Sequence, residues 1–397
     1  MRVVALCLFF LSHSVSADSL TLAQLIDRSL NANPETRAAW QRSRSQVERV
    51  GIAKSSYYPT LDASASINER LGDSALLGSE RQTQVSLSSQ WLLWDFGGRR
   101  ANLDSAQHTL AALQASQDAA SQQVAIRAVQ NWFTQLSAQA SLEAAQASLL
   151  AAEETAKAAR QRQLIGVATR EEELQAETAL AQAKLIVIQR QGELAASAGQ
   201  LAVVAGYDAD TVLALDYQDS ALDRLSQQTN AQPPELKQLL ALAQERRPEL
   251  IAQQLRVKAN HSELDRIAAQ ARPRLSLSAS STNSRDDLNQ NQGGQLALTA
   301  TLPLFTGFQQ RHQQALAQSQ IAEQGVELAR IKQQVSLDVW LAWQQLSTAQ
   351  ARITATDSLL AAASESSRAA LARYQAGIGN LLNVLTAQSN LADARQQ

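Results

Sequence analysis

The chain is written twice, and that constrains its fold more than any other feature. Asn33-Pro34-Glu35 is followed by Tyr58-Pro59-Thr60-Leu61, a step of 25 from proline to proline. Arg247-Pro248-Glu249 is followed by Arg272-Pro273-Arg274-Leu275, again a step of 25 between prolines, and the second pair lies 214 residues after the first. Further along the offset settles at 211. Trp132 then matches Trp343, Arg162 and Gly166 match Arg373 and Gly377, and Leu174 and Leu180 match Leu385 and Leu391. Alanine-rich helices resemble one another by composition alone, but shared prolines and glycines in a fixed order do not arise that way. The fold must therefore be two copies of one structural unit.

Each copy has the same order of elements. A helix starts at Pro34 or Pro248, because proline fits the first helical turn, where its missing N–H costs nothing. It ends before Pro59 or Pro273, where proline cannot continue the ladder. Two alternating segments follow. Leu61, Ala63, Ala65 and Ile67 interleave with Thr60, Asp62, Ser64, Ser66 and Asn68, and Val85, Leu87, Trp91 and Leu93 interleave with Gln84, Ser86, Ser88 and Gln90. The second copy sets Leu275, Leu277 and Ala279 against Ser276, Ser278 and Ser280, then Leu296, Leu298, Ala300 and Leu302 against Ala297, Thr299 and Thr301. A period of two predicts strands with one apolar and one polar face.

Strands of about ten residues cross a bilayer when tilted. Tyr57, Tyr58, Trp91, Trp94, Phe305 and Phe308 gather at one end of these segments, as an interfacial aromatic girdle does. Then comes a run without proline or glycine from residue 99 to 165, a helix of roughly 100 Å at 1.5 Å per residue. Gly166-Val167-Ala168 breaks it, and a return helix runs from Thr169 to about Val204. The second copy has its long helix at 309–376, a break at Gly377-Ile378-Gly379 and a return from Asn380. The two shorter helices of a copy together nearly equal the long one, so they are expected to lie beside it as one broken rod.

The organisation read from the sequence is a signal peptide at 1–17, a first repeat at 18–206, an inter-repeat equatorial segment at 207–247 and a second repeat at 248–397. The second repeat stops short of the length of the first. The signal rests on Arg2, an apolar run at 3–11 and small residues at Val15-Ser16-Ala17. The sole cysteine, Cys7, lies inside it, which leaves the mature chain no disulfide or thiolate chemistry. His13, His108, His261 and His312 lack metal-ligand spacing, and no phosphate loop or serine nucleophile motif occurs. An enzyme is not expected, nor any cofactor or metal. A net charge of −2 gives no electrostatic case for nucleic acid.

The proline-started helices, the strand starts at Tyr58-Pro59-Thr60-Leu61 and Pro273-Arg274-Leu275, and the strand exits form an ordered double set. The exits read Leu93-Trp94-Asp95-Phe96-Gly97-Gly98-Arg99 and Pro303-Leu304-Phe305-Thr306-Gly307. With the tip glycines Gly166 and Gly377, this set resembles the TolC family of outer-membrane channels across essentially the whole mature chain. The resemblance implies an α+β membrane protein with four transmembrane strands per chain, closed by a homotrimer into one 12-stranded barrel. Long periplasmic helical hairpins would form a helical tunnel below it.

The implied function is an outer-membrane exit duct of a tripartite efflux pump or type I secretion system. Its partners are outer-membrane lipid, a periplasmic adaptor (a membrane fusion protein) and an inner-membrane transporter. The tips Gly166, Val167, Ala168, Thr169 and Gly377, Ile378, Gly379, Asn380 are expected to dock the adaptor. Some family members narrow the entrance with carboxylates six and nine residues past the second tip glycine; here those positions are Asn383 and Thr386. The first-tip counterpart of Asn383 is Glu172. Arg162 and Arg373, each four residues before a tip glycine, complete the candidate entrance set, with Glu171, Glu172 and Glu173 as expected partners. The plainer reading makes these charges solvated helix ends that suit the dipole. The alternative function is a periplasmic coiled-coil adaptor, which has one hairpin rather than two and no strands of membrane length.

Overall fold

The structure is a computed structural model that describes residues 20–70, 80–216, 235–285 and 290–397. The expected signal peptide, Cys7, His13 and Pro233-Pro234 lie outside the described residues. Twelve elements follow one another: α1 (Leu22–Ala32), α2 (Pro34–Ser55), β1 (Thr60–Arg70), β2 (Glu80–Trp94), α3 (Gly98–Leu164) and α4 (Arg170–Val204). After these come α5 (Leu236–Arg246), α6 (Pro248–Ala269), β3 (Arg274–Arg285), β4 (Gln290–Thr301), α7 (Gln309–Gln375) and α8 (Leu381–Gln396). The duplication is visible directly: α2 and α6 have 22 residues each, and α3 and α7 have 67 each.

The chain forms two compact units that cut across the repeats. Among the described residues, the first takes in those up to Arg37, those from Ser121 to Pro234 and those from Leu341 onward. The second takes in those from Ala38 to Ala120 and from Glu235 to Trp340.

The second unit carries the sheet. Its four strands pair antiparallel in the order β1-β2-β3-β4, so the central pair β2 and β3 joins the two repeats. Register puts Leu87 opposite Ala63, Trp91 opposite Leu277, and Leu277 opposite Leu298 on one face. Ser64 faces Ser86, Ser88 faces Ser280, and Ser276 faces Thr299 on the other. The hydroxyls of Ser64 and Ser86 lie 2.7 Å apart. The expected alternation fails at one place: a bulge between Leu92 and Trp94 inserts an extra residue. It turns Trp94 onto the apolar face, opposite Leu275, and leaves Leu93 out of the ladder. Glutamines and serines hold the flanking helices together. Ser43 bonds Gln117 at 3.1 Å, Gln253 Nε2 donates to the Gln324 side chain at 2.9 Å, and Arg256 donates to Ser116 at 3.2 Å.

The first unit is helical. Thr21 starts α1 with a reciprocal capping box to Gln24. Leu22, Leu25, Trp132, Leu201 and Ala205 form its core beside α1. Asn33 joins two helices: its side chain donates to the carbonyl of Val204 at 3.2 Å and accepts the N–H of Glu35 at 2.9 Å. The C-terminus of α4 and the N-terminus of α2 therefore share one residue as their cap. Arg127 forks onto Glu35, and that hydrogen bond holds the Glu35 carboxyl below its ordinary value. The segment read as equatorial contains α5 and a parallel bridge between Leu20 and Leu215.

Candidate functional site

The tips are built identically from different residues. At the end of α3, Gly166 takes φ +79°, its N–H bonds the carbonyl of Gln163, and the Val167 N–H bonds that of Arg162. At the end of α7, Gly377 takes φ +81°, its N–H bonds the carbonyl of Tyr374, and the Ile378 N–H bonds that of Arg373. Only glycine adopts such a left-handed C-cap without cost. Four backbone residues later the chain turns back. Thr169 caps α4 by accepting the Glu172 N–H at 3.2 Å, and Asn380 caps α8 by accepting the Asn383 N–H at 2.9 Å. Val167 and Ile378 stand out into solvent at 61% and 72% exposure.

Within this unit the two hairpins pack side by side. Tyr374, Leu381 and Val384 of the second bury against Ala156, Ala159 and Ala176 of the first. The small alanines leave room for the buried aromatic ring. Arg162 crosses between the hairpins: its Nη1 donates to the Tyr374 carbonyl oxygen at 2.9 Å, and its guanidinium sits 4.8 Å from the Tyr374 ring centre. Lower down, Gln388 Nε2 donates to Thr155 Oγ1 at 2.9 Å and to the Ala151 carbonyl at 3.3 Å.

The sequence offered Glu171, Glu172 and Glu173 as partners for the arginines, and the geometry distributes the charges differently. Arg162 binds a backbone carbonyl and a ring. Glu173 is buried to 4% exposure between Arg160 at 4.0 Å and Arg170. Glu172 is half-buried, and its charge acts on the Tyr374 phenol. Among the described residues the Arg373 side chain makes no hydrogen bond or ion pair; it is exposed, as is Asn383.

Sequence reasoning missed the role of Tyr374, and it offered Glu173 only as one of three acidic partners for Arg162 and Arg373. The phenol of Tyr374 is fully buried with an unpaired hydroxyl. Burial pushes its pKa up, the nearby Glu172 carboxylate adds to the rise, and Arg162 opposes it. A glutamate matched in the other repeat by Val384 was the one available sign that position 173 lies inward.

The sheet's aromatic end is the other functional surface. Trp91 Nε1 donates to the Tyr57 carbonyl at 3.0 Å. Arg99 pins the bulge, donating to the carbonyls of Leu92 at 2.6 Å and Leu93 at 3.0 Å while lying 4.9 Å from the Tyr57 ring centre. Trp94 with Phe96 and Phe305 with Phe308 form edge-to-face pairs at 6.0 and 5.6 Å. All four rings are largely exposed. An amphipathic sheet whose apolar face and aromatic rim both meet the outside suits lipid rather than water. Among the described residues no helix is long and apolar enough to cross a membrane, and no cluster of metal-ligating side chains occurs.

Comparison with known proteins agrees with this geometry. The family described as outer membrane efflux protein matches residues 25–207 and 239–397, leaving out 1–24 and 208–238. Protein CyaE of Bordetella pertussis is 29% identical over 387 residues, covering 96% of this chain and 80% of CyaE. Among solved structures, the outer membrane protein VceC from Vibrio cholerae superposes with a TM-score of 0.80 at 22% identity, covering 94% of this chain and 90% of VceC. CusC, described for its folding and transmembrane channel formation, superposes with a TM-score of 0.81 at 20% identity, covering 94% and 87%. These structural likenesses carry the fold, with its paired hairpins and four-stranded sheet.

Proposed function

We propose that this chain, which belongs to the outer membrane efflux protein family and is an outer-membrane duct for efflux or secretion, works as a homotrimer docked to a periplasmic adaptor. The carrying observation is the sheet. Its four strands have one apolar and one hydroxyl-rich face, and β1 and β4 each leave an edge unpaired within the chain. Open edges cannot stand in lipid, where every backbone group needs a partner. Two copies give eight strands, whose interior side chains fill; three give a lumen wide enough to conduct. The serine and threonine face then lines that lumen.

The exposed tips at Gly166, Val167, Ala168, Thr169 and at Gly377, Ile378, Gly379, Asn380 are the surface offered to the adaptor hairpin. The adaptor in turn links the duct to an inner-membrane transporter. Arg162, Glu172, Arg373 and Asn383 border the entrance, and the Arg162 contact to Tyr374 holds neighbouring hairpins together there. The test is a native-mass measurement in detergent followed by planar-bilayer recording. A heat-modifiable trimer that conducts supports the duct, and Arg162→Ser with Arg373→Ser raises its conductance. A freely soluble monomer overturns the reading in favour of a periplasmic adaptor. Trimers whose double variant conducts as the parent does overturn the role of the arginines.

A further inference from the structure

Side-chain contacts in the unit that carries the sheet set the helix order α2-α3-α6-α7. Ser43 bonds Gln117 between α2 and α3, and Gln253 bonds Gln324 between α6 and α7. Between α3 and α6, Ser105 donates to the Ala259 carbonyl at 3.1 Å and Arg256 donates to Ser116 at 3.2 Å. The α2–α3 and α6–α7 joints are the same joint in the two repeats. The α3–α6 joint has no such counterpart in the chain, because its counterpart sets α7 against α2, the two ends of the row. Since α6 is α2 shifted by 214 and α7 is α3 shifted by 211, its members are known. Arg256 on Ser116 becomes Arg42 on Glu327, and Ser105 on Ala259 becomes Leu316 on Ser45.

We infer that α7 of one chain seats on α2 of a second copy through this joint, and that opposite charges select the pairing, with Arg42 of the partner subunit beside Glu323 and Glu327. This rests on the trimeric reading above. Exposure supports it first. Ala252 and Ala259 on α6, and Ala112 and Ala115 on α3, are buried. Their counterparts Ala38, Ser45, Glu323 and Val326 are all exposed, Val326 at 72%, and Leu316 beside them is 59% exposed. Faces covered at the joint within the chain are thus open at the two ends of the row. Charge supports it second. The open face of α2 carries Arg42 and Arg49, and that of α7 carries Glu323 and Glu327. Among the described residues the side chains of Arg42, Arg49 and Glu323 make no hydrogen bond or ion pair and are exposed. Glu327 already holds Arg330 of its own helix, so Glu323 is the uncommitted carboxylate.

The corresponding face of α3, with Ser105, Ala112 and Ser116, carries no charge. The difference has a physical reason. Helices α3 and α6 belong to one chain, so covalent connection already decides that they meet. Helix α7 must find α2 of another molecule among identical surfaces. Two α2 faces would set arginine against arginine, and two α7 faces would set glutamate against glutamate. Only the head-to-tail pairing brings opposite charges together, and head-to-tail pairing is what closes a ring. Exposed ion pairs add little affinity, so what these charges supply is the choice of partner. Leu316 and Val326 supply the apolar surface that the pairing removes from water.

Paired cysteines test the seat, and a charge exchange tests the selection. Ser45→Cys with Leu316→Cys, at two exposed positions, is treated with a short bis-maleimide and run on a denaturing gel. The pair is expected to give covalent dimers and trimers, and either change alone to leave chains separate. Arg42→Glu is expected to lower the temperature at which the trimer band dissociates, and Glu323→Arg to do the same. The two changes in one chain are expected to recover most of the loss. Glu323 is exchanged rather than Glu327 because Glu327 also serves Arg330. Trimers in which the cysteine pair joins no chains overturn the seat of α7 on α2. A dissociation temperature unmoved by either charge change, or a loss that the exchange does not recover, overturns the selection by charge. A parent protein that runs as a monomer before any crosslinking overturns the trimeric reading, and this inference with it.

Discussion

Phe96 and Phe308 hold left-handed backbone at corresponding junctions between a strand and a long helix, with φ of +51° and +64°. Each is paired with a left-handed glycine, but in opposite order. Phe96 precedes Gly97 at φ +93°, whereas Phe308 follows Gly307 at φ +62°. The turn demands two consecutive left-handed residues, and each repeat spends one of them on an aromatic ring. A non-glycine residue there costs about 1–2 kcal/mol. Both rings sit edge-to-face on a neighbour at the aromatic rim, Phe96 on Trp94 and Phe308 on Phe305. The strain is thus tolerated for the sake of a ring at the lipid boundary. Phe96→Ala and Phe96→Gly lose the same ring, but only glycine relieves the backbone. The glycine variant is expected to be the more stable by about 1 kcal/mol in detergent unfolding. Equal midpoints would show that no strain is stored.

The register assigns faces that substitution can check. Leu87 and Leu298 lie on the apolar face, opposite Ala63 and Leu277, while Ser86 and Thr299 lie on the hydroxyl face, opposite Ser64 and Ser276. Lysine at Leu87 or Leu298 is expected to cost up to about 2–4 kcal/mol, declining toward the interfaces. Lysine at Ser86 or Thr299 meets water in the lumen and is expected to cost far less. Reversible unfolding in lipid vesicles reads the difference, and equal tolerance at all four sites refutes the facing.

Tyr374 titrates late. Its folded phenol pKa is raised, by burial first and by Glu172 second, so the fold prefers the neutral ring. The stability this contributes is intact below the unfolded value of about 10 and is lost as pH rises through the higher folded value. An absorbance titration of phenolate is therefore expected to show one component above the rest, which Tyr374→Phe removes. Because the hydroxyl has no partner among the described residues, that variant also sheds an unpaired buried polar group. It is expected to be as stable as the parent or up to about 1 kcal/mol more so. A Tyr374→Phe trimer that melts markedly earlier would show that the buried hydroxyl is hydrogen-bonded within the chain after all.

The backbone plan was legible because it is local. Pro34, Pro248, Gly166 and Gly377 act on their own φ angles and missing N–H groups, so they punctuate the chain wherever it packs. Strand alternation was legible for the same reason, up to the bulge at Leu92 and Trp94. That bulge depends on Arg99 arriving to bond the carbonyls of Leu92 and Leu93, which no periodicity encodes. The tip contacts were harder still. Arg162 meets Tyr374 across 212 residues of sequence, and it chooses a carbonyl, an acceptor that every residue carries. Matching charges pointed instead to the nearby glutamates. Glu173 was already committed to Arg170 three residues before it and to Arg160, and only the packing of α3 against α4 brings Arg160 to it.

Four glycines separate docking from folding at the tips. A Cβ on Gly166 meets nothing within 4 Å, and one on Gly377 meets only Arg162 Nη1 at 3.7 Å. Replacement there costs about 1–2 kcal/mol through the left-handed backbone alone. Gly379 is tighter, with the Tyr374 nitrogen 3.0 Å and the Arg373 carbonyl carbon 3.1 Å from an added Cβ, so the end of α7 must shift. Gly206 is worse: Ala32 Cβ lies 2.8 Å away and the residue also holds φ +80°. If the tips dock an adaptor as proposed, larger residues at Gly166 and Gly377 are expected to leave trimers in the outer membrane while export falls. Gly379→Ala should weaken both export and the tip, and Gly206→Ala should deplete the trimer itself. Heat-modifiable bands from outer-membrane fractions, read beside an export assay, rank the four. If Gly166 and Gly377 variants lose trimers as steeply as Gly206→Ala does, the tips are folding elements and the docking surface lies elsewhere.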